Sequence, residues 1–153
     1  MDEKKKQGRY SRIINQLKEL LIKSNDIDAR MATIIAVLHH KIEYFFWTGF
    51  YCLKNGKLIV KTYQGPVACM ELEKDTGVCW AGINQKKTLL VPDVEKFPDH
   101  IACDSRSKSE IVVPLKNRQG EIWGVLDVDS SSYASFSKTD AEALEEILNL
   151  LYL

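Results

Sequence analysis

Residues 123–129 read WGVLDVD, inside a predicted strand over 121–129. Side chains along a β-strand alternate between the two faces of a sheet, so Asp127 and Asp129 are expected to share one face. The strand-like run Glu110–Lys116 comes just before, and residues 117–120 between the two runs predict a hairpin. Because Glu110 opens the neighbouring strand, three carboxylates are expected to converge at one end of a sheet.

Upstream of this hairpin, the sequence predicts two helices and a first hairpin. Apolar residues recur every three or four positions over 9–23 and over 27–42, the spacing of amphipathic helices. Residues 1–8 are expected to form a flexible tail. The aromatic-rich run Tyr44–Lys54 is followed by Asn55-Gly56 and then by Leu58–Tyr63, a strong hairpin signal.

The rest of the chain adds short elements and a closing helix. That helix is predicted to begin near Ser137, with a capping box made either by Ser137 and Asp140 or by Thr139 and Glu142. The order of elements favours an α+β domain over residues 1–153, a central antiparallel sheet with the N- and C-terminal helices packed on one face. Other predicted elements are a strand or extended loop at Val67–Leu72, a helix at Gly77–Gln85 capped by Asp75 or Thr76, a strand at Thr88–Val91 and a loop over 92–108.

Composition narrows the classes of function. Lys+Arg and Asp+Glu number 21 each, so the formal net charge is zero, and neither nucleic acid nor an anionic membrane is favoured as a partner. No secretory signal and no apolar run of about 18 residues is visible, so we expect a cytoplasmic protein. In a reducing compartment the four cysteines are not expected to form a structural disulfide framework.

The cysteines differ in their surroundings. Cys52 alternates with apolar residues of the first strand and is interpreted as a buried core thiol. No pair has CxxC spacing, and only His100 lies close to Cys103, so a zinc site is not expected. Cys103 lies on the long loop, as either a reactive or an incidental surface thiol. Cys69 and Cys79 either pack or react, and the predicted helix start at Cys79 would lower its pKa.

Acidic and aromatic residues form two further groups. The carboxylates of Glu110, Asp127 and Asp129 either bind a cation such as an ammonium group, raise the pKa of one member until it donates a proton, or lie on a wet outer face. Trp47 and Tyr51, four positions apart on the first strand, point to one face. Together with Trp80 and Trp123 they either wall a small pocket or pack in the core.

The chain resembles the GAF-domain free methionine-(R)-sulfoxide reductases. The resemblance extends in order over nearly the whole sequence, and the cysteines in their contexts are its most specific part. The matching segments are WTGFY at 47–51, QGPVAC at 64–69, GVC at 77–79, VPDV at 91–94, HIACD at 100–104, SEIVVP at 109–114 and GVLDVD at 124–129.

The resemblance implies a role for each matched residue. Cys103 corresponds to the catalytic cysteine, Cys69 to the cysteine that resolves its sulfenic acid, and Cys79 to an auxiliary thiol. The family leads us to expect a glycine after Cys79, where this chain has Trp80. The implied substrate-binding residues are Trp47, Tyr51, Glu110, Asp127 and Asp129.

The implied activity is thiol-dependent reduction of free L-methionine-(R)-sulfoxide through a sulfenic acid and an intramolecular disulfide. A thioredoxin-like dithiol would regenerate the enzyme, with no metal or organic cofactor, and the N-terminal helices could pair with those of a second copy. The alternative is a non-catalytic GAF domain that binds a small molecule or senses redox state, because a fold does not determine a function.

Overall fold

The computed structural model describes residues 1–100 and 103–153. A six-stranded sheet has the order β3-β2-β1-β6-β5-β4, and each neighbouring pair is antiparallel. None of the described helices has the length and apolar character needed to cross a membrane. The helices are α1 (Glu3–Leu21), α2 (Ile27–Lys41), α3 (Gly77–Gln85) and α4 (Lys138–Asn149), and the strands are β1 (Trp47–Lys54), β2 (Lys57–Gln64), β3 (Glu71–Leu72), β4 (Leu89–Val91), β5 (Ser109–Lys116) and β6 (Ile122–Ser130).

The two faces of the sheet carry separate cores. Phe50 of β1 and its partner Leu126 of β6 pack under α1, α2 and α4. The next pair, Tyr51 and Val125, faces the other way and packs with α3. The predicted antiparallel sheet with terminal helices on one face is therefore confirmed. The face that carries α3 is free of those long helices, and it is where the candidate site lies.

Local turn and cap signals account for most of the observed boundaries. Asn55 and Gly56 both have positive φ, 54° and 77°, as a tight β1–β2 hairpin requires. At the start of α4, the Ser137 N–H donates to Asp140 Oδ2 at 2.8 Å, so the first of the two predicted capping boxes is the one formed. The Val67–Leu72 segment forms a strand only at Glu71–Leu72.

The prediction of a flexible tail over residues 1–8 is wrong. Helix α1 begins at Glu3, and the Asp2 carboxylate accepts a hydrogen bond from the Lys5 N–H at 2.8 Å. Lys6 is buried, with its Nζ 2.6 Å from Oδ2 of the fully buried Asp140. The sequence alone did not predict this pairing, because the partner of Lys6 lies 134 residues away and the first residues of the chain are mostly polar.

Replacement of Lys6 by alanine is predicted to destabilise the fold by about 3–5 kcal/mol, since it leaves the buried Asp140 without its cation. Lys5→Ala is the matched control, because that side chain is exposed and its loss is expected to change stability by less than about 0.5 kcal/mol. Urea unfolding of both variants measures the difference. Equal stabilities for the two variants would show that α1 is not anchored through this pair.

Candidate active site

A cavity of about 60 Å³ opens on the α3 face of the sheet, enough for a few water molecules. Strands β1, β5 and β6, the start of α3 and the loop around Cys103 build its walls. Seven of the eight residues predicted for the site line it, and the eighth, Cys69, is bonded to one of them. The seven are Trp47, Tyr51, Cys79, Cys103, Glu110, Asp127 and Asp129.

Cys69 and Cys103 form a disulfide at the edge of the cavity, with their Cα atoms 5.7 Å apart. Two aromatic side chains hold the Cys69 segment in place. The Tyr51 hydroxyl donates to the Cys69 carbonyl at 2.8 Å, and the Trp47 indole N–H donates to the Pro66 carbonyl at 3.1 Å. The aromatics predicted to wall a pocket therefore also position one cysteine of the bonded pair.

In the aromatic wall, the Trp47 ring is stacked between two tyrosine rings, of which only that of Tyr51 lines the cavity. The Trp47 ring lies 5.7 Å from that of Tyr51 and 5.3 Å from that of Tyr63, with interplanar angles of 23° and 22°. Gly49 makes room for this stack, because a Cβ there would lie 2.5 Å from both the Trp47 ring and the Tyr63 Cβ. Sequence reasoning missed Tyr63, whose position depends on the pairing of β2 with β1.

The three acids converge as strand alternation predicted. Asp129 pairs with Glu110 on β5 and with Trp47 on β1, while Asp127 pairs with Val112 and Gly49. Glu110 and Asp127 are each only 6% exposed and Asp129 is half-buried, so the alternative of a wet outer face is excluded. Among the described residues that line the cavity there is no lysine or arginine to neutralise these carboxylates.

The environment of the acids favours their protonated forms. Burial first, and then the negative charges of Asp127 and Asp129, raise the pKa of Glu110 well above its ordinary value. Burial and the charge of Asp127 likewise raise the pKa of Asp129. Burial also raises the pKa of Asp127, against the opposing effect of a hydrogen bond from Glu110. Three acids this close titrate as a unit, and their surroundings favour the protonated form over the ionised form, as a proton donor requires.

The expected lowering of the Cys79 pKa is wrong. Burial, followed by the charges of Asp127 and Glu110, raises the pKa of this thiol well above its ordinary value, although Cys79 lies in the first turn of α3. Its Sγ and the carboxylate oxygens of Glu110 and Asp127 all lie within 4.8 Å of one another. Burial and neighbouring negative charge therefore outweigh the helix dipole at this position.

The two other tryptophans do not wall the cavity. Trp80, a residue of α3, packs in the core on that side of the sheet, with its indole N–H donating to the Leu72 carbonyl at 3.2 Å. Strand alternation would have put Trp123 on the cavity face. A bulge opposite Leu115 turns it to the other face, where its N–H donates to the Tyr152 hydroxyl at 3.0 Å. Cys52 is a buried free thiol in the core on that other face, as predicted.

The loop that carries Cys103 is held by a contact that sequence reasoning missed. The Arg106 guanidinium donates to both carboxylate oxygens of Asp104, at 3.0 and 2.7 Å, and lies over the Phe46 ring at 5.0 Å. These hydrogen bonds lower the pKa of Asp104 to about 2. The predicted loop over 92–108 includes residues 101 and 102 of the HIACD segment, which lie outside the described residues.

Several known proteins are similar to this chain in sequence or in structure. The GAF domain family profile matches residues 26–152. The chain is 47% identical to "GAF domain-containing protein A" of Dictyostelium discoideum, over 95% of this chain and 92% of that one. It is 32% identical to the Escherichia coli (strain K12) protein named free methionine-R-sulfoxide reductase, over 91% of this chain and 84% of that one. The solved structure of a free methionine-R-sulfoxide reductase from Neisseria meningitidis, in complex with its substrate, superposes with a TM-score of 0.88 at 39% identity, over 94% of this chain and 86% of that one.

The raised pKa of Glu110 predicts that Glu110→Gln stabilises the folded protein at neutral pH. Below the ordinary glutamate pKa the residue is protonated in both states, so the folded state pays no penalty there. As pH rises, the Glu110 carboxyl ionises first in the unfolded chain, because its pKa is lower there. The folded state of the parent protein therefore loses stability relative to the unfolded state. The variant's gain in unfolding free energy should be near zero at about pH 4 and about 1 kcal/mol or more at about pH 7.

Urea unfolding at the two pH values measures this gain. Glu146→Gln, on the exposed face of α4, is the matched control and should show no comparable change with pH. A Glu110→Gln variant that is less stable than the parent at neutral pH would contradict the pKa assignment.

Proposed function

The chain belongs to the GAF-domain family, in the group named free methionine-R-sulfoxide reductases, and from this premise we propose that it reduces free L-methionine-(R)-sulfoxide to L-methionine. In this proposal Cys103 is the nucleophile and Cys69 resolves its sulfenic acid. The observation that carries the proposal is the Cys69–Cys103 disulfide at the edge of a cavity walled by three acids and an aromatic stack.

Charge supports a free amino acid as the substrate. Glu110, Asp127 and Asp129 line a cavity whose described wall has no basic residue of the lysine or arginine type. A substrate ammonium would supply the missing positive charge, and a peptide-bound methionine sulfoxide has none at this position. The rings of Trp47 and Tyr51 are suited to the S-methyl end, since sulfur groups pack well against aromatic rings.

The first chemical step uses the Cys103 thiol as the nucleophile and one of the acids as the proton donor. The Cys103 thiolate attacks the substrate sulfur, the sulfur–oxygen bond breaks, and the substrate sulfur leaves Cys103 with an electron pair as the thioether of methionine. The oxygen passes to Cys103 Sγ and takes a proton, so a sulfenic acid forms. Glu110, whose pKa burial raises, is suited to give that proton, while an ionised neighbour holds the ammonium.

The second step resolves the sulfenic acid. The Cys69 thiol attacks Cys103 Sγ, water leaves, and the disulfide forms. An external dithiol then reduces this disulfide by thiol–disulfide exchange. Cys79 is buried and its thiol is held protonated, which favours an auxiliary role behind the less buried Cys69.

Turnover with dithiothreitol as reductant tests the activity. Free methionine-(R)-sulfoxide should be reduced, whereas the S epimer and a peptide-bound sulfoxide should not. Cys103→Ser should abolish turnover. Cys69→Ser should still release one methionine per chain in a first turnover and leave a sulfenic acid at Cys103 that a sulfenic-acid-specific reagent traps. Cys52→Ser is the control with full activity, because this thiol lies on the opposite face of the sheet.

Reduction of the R epimer at an unchanged rate in Cys103→Ser would overturn the assigned nucleophile. Absence of turnover with every sulfoxide, together with binding of one of them, would instead favour a non-catalytic GAF domain.

The surface next to the disulfide supports a protein dithiol of the thioredoxin type as the reductant. Met70 follows Cys69 and is 78% exposed, and Val67 is 84% exposed. Large apolar side chains left in solvent beside a reactive bond are typical of a docking site. A protein reductant would cover these side chains while its thiolate attacks the disulfide.

Met70→Glu is therefore predicted to lower kcat/KM for thioredoxin about tenfold, the equivalent of about 1.4 kcal/mol of lost contact. The rate with dithiothreitol should be unchanged, because Met70 does not line the cavity. Ile22→Glu, at a 67% exposed site after α1, is the matched control and should affect neither reductant. Equal effects of Met70→Glu on both reductants would contradict docking at this surface.

A further inference from the structure

The proposed chemistry leaves one buried nucleophile in the cavity without an essential role. Cys79 is 4% exposed, and its Sγ lies within 4.8 Å of carboxylate oxygens of both Glu110 and Asp127. The three residues come from three ordered elements, since Cys79 lies in the first turn of α3, Glu110 is the second residue of β5 and Asp127 lies within β6. One sulfur and two carboxylate oxygens therefore lie close together, and the ordered elements that carry them restrict their movement.

A second observation shows that this point lacks a positive charge. Asp127 is only 6% exposed, and its Oδ1 has no hydrogen-bond partner among the described residues. A buried carboxylate oxygen without a partner is costly, and the fold ordinarily supplies a donor or a cation for it. The cavity wall offers neither lysine nor arginine among its described residues, so a cation for this Oδ1 atom has to come from solution.

We propose that Cys79, Glu110 and Asp127 bind a divalent zinc ion in this cavity. A thiolate with two carboxylates is a donor set that zinc accepts with three protein ligands and one open position, which water fills. Calcium and magnesium prefer sites made of oxygen alone and are poorly served by the thiolate. The cavity volume of about 60 Å³ admits an ion with its water, and His100 lines the same space.

Zinc binding displaces the proton of the Cys79 thiol and any proton on the two carboxyl groups into solvent. The ion then occupies oxygens that the proposed function gives to proton donation and to the substrate ammonium. Zinc is consequently an inhibitor that competes with methionine sulfoxide, and this consequence rests on the proposed function. The binding itself does not depend on turnover.

Zinc titration of the oxidised protein tests the site. With Cys69 and Cys103 joined in the disulfide, the free thiols are Cys52 and Cys79 alone. A chromophoric chelator that competes for zinc should report one bound ion per chain. Cobalt in place of zinc should give a thiolate-to-metal absorption band in the near ultraviolet.

Cys79→Ser should remove the cobalt band and weaken zinc binding by about 10–100-fold or more. Asp127→Asn should weaken binding similarly while keeping the thiol, so a folding defect in one variant does not decide the result. Cys52→Ser is the matched thiol control and should bind zinc as the parent does. No bound zinc in the parent, or equal affinity in Cys79→Ser, would overturn the proposal.

Kinetics separate this proposal from the proposed function. Zinc should raise the apparent KM for methionine-(R)-sulfoxide and leave kcat unchanged. Zinc binding by a protein that shows no turnover even when zinc is absent would support the metal site and reject the reductase. Turnover without zinc binding would reject the metal site and support the reductase.

Discussion

Three carboxyl groups meet in one cavity whose described wall has no lysine or arginine, and this is the constraint on which the site depends. Glu110 and Asp127 are buried, and Asp129 is half-buried. Burial penalises their ionised forms, and each charge that does form penalises the others. The cluster is therefore stabilised either by protons on its carboxyl groups or by a cation bound between them. Proton donation to the sulfoxide oxygen, selection of a free ammonium and affinity for zinc are three proposed consequences of this single arrangement.

A second buried acid shows how the fold treats a carboxylate that it needs only for stability. Asp140 is fully buried, and burial alone would raise its pKa, but hydrogen bonds from Lys6, Tyr10 and Tyr44 lower it instead. Among the described residues no lysine or arginine contacts Glu110 in this way, and its pKa moves upward. Since both residues are buried in the same domain, the difference lies in their partners. The fold neutralises the acid beneath its helices and leaves the acids of the cavity unneutralised.

Strand alternation and hairpin signals were enough to predict much of this arrangement. Asp127 and Asp129 share a face because they lie two positions apart, and Glu110 joins them because one hairpin connects β5 to β6. The pairing of Cys69 with Cys103 was different in kind, since only the family resemblance suggested it. Spacing alone does not bring together two loop cysteines 34 residues apart.

The failures share a physical cause, which is dependence on partners distant in sequence. The Lys6–Asp140 pair, the bulge that turns Trp123 away and the stacking of Tyr63 on Trp47 all depend on contacts between separate elements. Helix position correctly placed Cys79 in the first turn of α3, but it gave the wrong direction for the pKa of this thiol. The acids that determine that direction come from β5 and β6.

The central claim is that the acidic cavity recognises the substrate by its ammonium group. It is tested most directly by comparing kcat/KM for free methionine-(R)-sulfoxide, its N-acetyl derivative and its carboxamide. N-acetylation removes the positive charge, so kcat/KM should fall by about 100-fold or more, the equivalent of about 2.7 kcal/mol. The carboxamide keeps the ammonium and should lose far less. An N-acetyl derivative reduced as efficiently as the free amino acid would contradict the account.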